Sequence, residues 1–213
     1  MAPESIASLF GQGLAATTAV ASATALPNSL SDASVLFTGS DDMDRTSPLF
    51  FVSPGQINCL IPSGMPSGPA SVRVLRAGTV AARGQLQVAA VAPGLFTANG
   101  SGSGVAAAVA VRVASDGTET VEAATAIDLG APTDQVILEL FGTGIRGASS
   151  TAAVHVQIGG IDSVVEAAVP QGQYAGLDQV NVLLPGSLRG SGNVNVALVV
   201  DGQPANIVTI GIL

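Results

Sequence analysis

The chain has 213 residues, 47% of them apolar and nearly all of those aliphatic, since Trp is absent and Tyr occurs once. All seven basic residues are Arg, and against 15 acidic residues they leave a net charge of −8. That balance speaks against nucleic acid, whose phosphates need clustered cations, and against an anionic membrane surface. The absence of Lys removes Schiff-base and amine-nucleophile chemistry and any Lys–Asn isopeptide crosslink, while the single Cys59 forms no internal disulfide and so does not locate the compartment.

Frequent Gly and Pro suit many short strands better than helices. Residues 5–10 read as a first strand closed by Gly11-Gln12-Gly13, and 15–25 as a loop or a weakly paired strand. A strand at 33–37, a polar turn at 39–48 and strands at 49–53, 56–61, 72–75 and 86–91 follow, with Pro62 ending one of them. Ala92-Pro93-Gly94 is the expected boundary, giving domains 1–91 and 92–213, the second with an N-terminal extension. After a short strand at 95–98, the Gly/Ser-rich 99–104 segment reads as a loop. Strands at 105–113 and 119–123 flank an Asp116-Gly117 turn, and 136–141 opens the second domain proper. Strands at 153–158, 163–169, 179–184, 194–200 and 207–212 complete it, with Asp201-Gly202 as another hairpin turn. No basic n-region with an apolar h-region follows Met1, and the strand pattern starts almost at once, which points to an excised or processed segment with an added Met. No run approaches about 18 uninterrupted apolar residues, so no transmembrane helix and no membrane insertion is expected.

The strand pattern repeats. Gln56-Ile57-Asn58-Cys59-Leu60-Ile61-Pro62 returns as Gln179-Val180-Asn181-Val182-Leu183-Leu184-Pro185, with Tyr174 at the same offset from Phe51. Ser8-Leu9-Phe10-Gly11-Gln12-Gly13-Leu14 is echoed by Glu139-Leu140-Phe141-Gly142-Thr143-Gly144-Ile145. Two copies are too few for a solenoid, so the expectation is an all-β chain of two complete tandem sandwich domains. Strand alternation places Ile57, Cys59 and Ile61 on one face and Val180, Val182 and Leu184 on its counterpart, both facing a core.

Several of these motifs occur together in one family. The run Pro3-Glu4-Ser5-Ile6-Ala7-Ser8-Leu9-Phe10-Gly11-Gln12-Gly13-Leu14-Ala15, then Phe50-Phe51-Val52-Ser53-Pro54-Gly55-Gln56-Ile57-Asn58, then Ala92-Pro93-Gly94-Leu95-Phe96-Thr97 resembles the Solibacter-type C-terminal domain family of acidobacterial secreted proteins. Leu140-Phe141-Gly142-Thr143-Gly144-Ile145 and Leu177-Asp178-Gln179-Val180-Asn181 continue its order, so the resemblance covers nearly the whole chain. Each half is also similar to IPT/TIG-type immunoglobulin-like domains. The resemblance implies a tandem immunoglobulin-like β-sandwich at the C-terminus of larger exported proteins, extracellular or at the cell surface, with no catalytic residue and no ligand attached to it. Glu4, where the family usually carries Gly, and the acidic 39–45 turn depart from the pattern.

Reactive constellations are sparse. His155 is the only His, in an alternating strand and without a Gly-x-Ser-x-Gly elbow, so a Ser/His/acid triad is not expected. Cys59 sits on an apolar face and is matched by Val182, which reads as a small buried hydrophobe. One His and one Cys do not make a zinc ligand set. Asp41, Asp42 and Asp44 could offer oxygen ligands to calcium, but their spacing lacks EF-hand order and reads as an acidic turn. The 100–104 glycines lack a following Lys-Ser/Thr and a helix to hold phosphate. The Asn99-Gly100-Ser101 sequon is given no role. The polar candidates are therefore Gln56, Asn58, Gln179 and Asn181, outward on equivalent strands and expected to bond a neighbouring loop or an interdomain contact, together with the lone Tyr174.

Three uses follow from these readings, none enzymatic and none requiring a cofactor or metal. The first is a module that spaces, anchors or mediates association of a larger exported protein, with protein as partner, either a second copy or other domains of the parent. The second is a self-assembling filament or surface-layer subunit in which the apolar 207–213 strand completes a neighbour's sheet. The third is a carbohydrate-binding module, for which Tyr174 would be the only Tyr or Trp platform.

Overall fold

The structure, a computed structural model, describes residues 1–22 and 25–213. Ala23 and Thr24, within the ambiguous 15–25 stretch, lie outside the described residues. The fold is nearly all β, and its paired strands are antiparallel, an arrangement consistent with a β-sandwich. Among the described residues no helix is long and apolar enough to cross a membrane. The chain divides into two compact units, Met1–Ala90 and Val91–Leu213.

The first unit contains β1 (Ile6–Phe10), β2 (Ala19–Val20), β3 (Ser29–Leu30), β4 (Ala33–Thr38), β5 (Asp44–Thr46), β6 (Leu49–Val52), β7 (Gln56–Leu60), β8 (Gly68–Arg76) and β9 (Thr79–Val88). One sheet runs β1-β7-β6-β2 and the other β3-β4-β8-β9, with β5 on β4. Alternation turns Val35 and Phe37 of β4, Ile57 and Cys59 of β7, and Val72 and Val74 of β8 into a shared hydrophobic cluster. The chain crosses from one sheet to the other at Ser47-Pro48, between β5 and β6. Ser47 pins that corner, donating its N–H to Val35 O at 2.9 Å and its hydroxyl to Leu60 O at 2.6 Å. The β8–β9 hairpin turns at Ala77-Gly78, both left-handed, with φ of 46° and 79°.

The second unit holds β10 (Gly94–Leu95), β11 (Ala108–Val113), β12 (Glu119–Ala123), β13 (Gln135–Thr143), β14 (Val154–Ile158), β15 (Ile161–Pro170), β16 (Asp178–Leu183), β17 (Gly192–Val200), β18 (Gln203–Pro204) and β19 (Val208–Ile212). Its ladder follows β12-β11-β13-β16-β15-β14-β17-β18, with β10 on β13 and β19 on β17. β15 is shared: 161–163 pair with β14 and 164–170 with β16, and a bulge between Val165 and Ala167 bends the strand at the crossing. Leu138 and Leu140 of β13, Val180 and Val182 of β16, and Val196 and Leu198 of β17 build its core.

The two ladders correspond strand by strand. β1-β7-β6 matches β13-β16-β15, and Phe10 faces Gln56 as Phe141 faces Gln179. β4-β8-β9 matches β14-β17-β18/β19, with Asp201-Gly202 (φ 47° and 77°) at the place of Ala77-Gly78.

The structure corrects several strand expectations. The 39–48 segment is not wholly a turn, because β5 pairs with β4 inside it. β9 starts at Thr79 rather than 86; its Ala81-Ala82-Arg83-Gly84 stretch carries weak strand preference, and its long pairing with β8 overrides that. The 15–25 stretch includes the short β2, paired with β6. The C-terminal strand is not an open edge. β19 bonds β17 on one side, and on the other Thr209 N–H donates to Gly104 O and Gly211 N–H to Ala124 O, both at 2.8 Å. A strand occupied on both sides has no row of main-chain groups left to complete a neighbour's sheet. Glu4 adopts φ 59°, a conformation that Gly takes without penalty.

Candidate functional site

The repeated amides sit on the solvent-facing sides of β7 and β16, because the period of two that buries Ile57, Cys59, Val180 and Val182 turns their neighbours outward. Within each strand the two amides bond each other. Gln56 Nε2 donates to Asn58 Oδ1 at 2.7 Å, and Gln179 Nε2 to Asn181 Oδ1 at 2.8 Å. In the first unit Ser8 Oγ adds a bond to Asn58 Oδ1 at 2.9 Å from the neighbouring β1. The amides thus bond along their own strand and, at Asn58, to the neighbouring β1. A neutral amide pair supplies directional hydrogen bonds but neither a nucleophile nor a proton relay.

Tyr174 lies in the 171–177 loop between β15 and β16, with 68% of its surface exposed. Its offset match to Phe51 does not survive in the fold. Phe51 is in β6 opposite Asn58, and the residue opposite Asn181 in the second unit is Ala167. The loop before β16 is longer than the 53–55 turn before β7, so constant spacing slides off the structural equivalence.

His155 is exposed on β14, on the rim of a shallow groove of about 520 Å³ that also includes Gln157, Asp162 and Ser163. Gln157 Nε2 is bonded to Asp162 Oδ1 at 2.8 Å. Cys59 is fully buried, and burial pushes its thiol up to about 11, far from the thiolate that nucleophilic chemistry requires.

The acidic turn is an ion-pair knot. Arg45 forks onto Asp41, Nη1 to Oδ1 at 3.0 Å and Nη2 to Oδ2 at 2.6 Å, and that pair holds the Asp41 carboxyl down at about 2. Asp44 accepts from Thr38 Oγ1 at 2.7 Å and from Arg73, which together lower its pKa. These carboxylates already face cations within the fold. Among the described residues no group of three or more His, Cys, Asp or Glu is arranged to hold a metal ion.

One charged site was not anticipated from the sequence. Asp178 is completely buried at the start of β16, where Oδ2 accepts from the N–H of Ile145 at 2.7 Å and of Arg146 at 3.2 Å. Its Oδ1 accepts from Arg146 Nε at 2.6 Å, while Arg146 Nη2 donates to Leu177 O at 3.0 Å. The clamp ties the loop after β13 to β16. The first unit makes the same join without charge, with Leu14 N–H donating to Pro54 O at 3.0 Å and Gly11 N–H to Gly55 O at 3.1 Å. The signal in the sequence was Asp178 standing where the first copy has Gly55.

No protein-family model and no curated protein matches the chain.

Proposed function

We propose that the chain is a pair of tandem immunoglobulin-like, IPT/TIG-like β-sandwich domains, as the order of motifs shared with the Solibacter-type family implies. It serves as a non-catalytic module of a larger exported protein, extracellular or at the cell surface, where it spaces, anchors or mediates association with protein partners. One observation carries this reading: the polar groups most able to act are committed to holding strands and loops in place. The repeated amides bond each other, Asp41 and Asp44 are held by Arg45 and Arg73, and Asp178 is clamped by Arg146. The strand-by-strand correspondence of the two ladders supports the tandem assignment.

Light scattering coupled to size-exclusion chromatography, run over a hundredfold concentration range beside a hydrolytic substrate panel, tests the proposal. A mass constant near 20.9 kDa without turnover is the expected outcome. Turnover abolished by one substitution would make the chain an enzyme, and growing ordered polymers would make it a filament subunit.

A further inference from the structure

The second unit closes one flank with its own chain. Residues 104–107 form a strap that joins β19 to β13. Thr209 of β19 donates its N–H to Gly104 O at 2.8 Å and accepts from Ala106 N–H at 2.9 Å. Phe141 of β13 donates its N–H to Ala107 O at 3.1 Å and accepts from Phe96 N–H at 2.9 Å. Ala106 of the strap is buried, and Asn206 fixes the adjoining segment by bonding both main-chain groups of Leu95.

The matching flank of the first unit stands open. By register Phe10 corresponds to Phe141 and Gln85 to Thr209, so the main-chain groups that the strap and Phe96 satisfy in the second unit point outward at Phe10 and Gln85. Among the described residues, no strand pairs with the outer edge of β1 or of β9, and β9 is met only near its end, where Met1 bonds Gln87 and Ala89. Between the two edges lies a cleft of about 230 Å³ whose lining is mainly apolar, from Leu9, Phe10, Leu14, Val72, Val74 and Ala82, with Arg83 its one charged residue. Phe10 is 75% exposed on its rim.

We infer that this cleft is a strand-addition site for an extended, uncharged peptide segment of another protein, with Gly or Ala at the positions that enter it. The occupant's chemistry is read from the molecule's own solution: Gly104-Val105-Ala106-Ala107 closes the corresponding opening with a small residue, Ala106, buried at the inward position. Main-chain bonds to β1 and β9 supply affinity, and the narrow cleft supplies selection for small residues. The site deepens the association branch of the function proposed above.

The test adds to the full chain a synthetic peptide with the sequence of residues 103–110 and a solubilising tail, followed by amide NMR shifts and fluorescence anisotropy. Expected are saturable shifts at Ser8, Phe10 and Gln85. Gln85→Pro removes only an outward N–H and should weaken binding about tenfold with the unfolding midpoint unchanged. Ala82→Leu fills the cleft and should block binding while the fold persists. The site is overturned if those amides do not shift at about 1 mM peptide. It is equally overturned if both variants bind like the parent, or if the shifts appear at Phe141 and Thr209 because the peptide replaces the strap. Failure here leaves the non-catalytic module standing, and turnover of a substrate would remove that module without touching the peptide result.

Discussion

The first and second units share a strand plan and hairpin register but differ in what guards their flanks. In the second, residues 91–127 lay β10 and β11 against β13 and bond both main-chain groups of Thr209 and Gly211. Gly142 and Gly211 mark how close that extension comes, since a Cβ at either would run into the main chain of Gly94 or Thr125. At Gly11, the counterpart of Gly142, a Cβ would meet the side chain of Leu14 instead, and the outer edge of Gln87, the counterpart of Gly211, is met by the N-terminus of Met1 alone among the described residues. One plan therefore tolerates either a sealed or an open flank, and sealing converts half-exposed aliphatic positions into core. Leu140 is fully buried, whereas its counterpart Leu9 is only half-buried.

The largest expected effect separates the charged clamp from its uncharged equivalent. Asp178→Ala should destabilise the second unit by about 3–5 kcal/mol, because it strands the Arg146 guanidinium and two buried N–H groups. Urea denaturation followed by signals from each unit would check it, and a loss below about 1 kcal/mol would show that the clamp is dispensable as it is in the first unit. Next, Leu140→Ala should cost about 2–5 kcal/mol and Leu9→Ala about 1 kcal/mol, in proportion to burial. Equal costs would mean that the open flank is closed in solution.

A smaller contrast lies in the hairpin turns. Ala77→Gly should stabilise the first unit by about 0.5 kcal/mol by relieving a left-handed Ala. Asp201→Gly should instead destabilise the second, because the Asp201 carboxylate also binds Ser149, accepting from its N–H at 2.9 Å. Calorimetric midpoints of both variants would decide it. The subtlest effect concerns pH. Asp41 has a folded pKa of about 2, depressed from 3.8. Its contribution is therefore complete above about pH 4 and is lost as pH falls through 2. Asp41→Asn should slightly lower the stability of the first unit at neutral pH, where that contribution is complete, and flatten the acid limb of its profile, so that variant and parent converge as pH falls through 2.

Much of this was readable in advance where alternation was strong. The Ile57/Cys59 and Val180/Val182 faces needed only the period of two, and the outward amides followed from the same count. β9 was half missed because Ala81-Ala82-Arg83-Gly84 has no β-branched residue; its pairing partner β8, rather than its own composition, makes it a strand. The Asp178–Arg146 clamp and the strap join residues far apart in sequence, and no local pattern announces such contacts. The offset match of Tyr174 to Phe51 failed because a loop insertion shifts numbering without shifting the ladder. The 207–213 segment was read correctly as a strand and wrongly as an open one, since nothing in its own residues reveals that Gly104 and Ala124 lie beside it.

The strap also has a mechanical side. Its bridge Val105 to Thr209, like that of Ile127 to Ile212, is parallel. A tensile load that draws these entering segments and the final strand in opposite directions meets the bonds at Thr209, Gly211 and Leu213 side by side, so they must lengthen together rather than open one after another. Resistance to such a load is governed by the unfolding rate rather than by equilibrium stability. In the first unit the matching contact is the short pairing of Met1 with Gln87 and Ala89. Under tension the open unit would yield first, and the strapped one would hold.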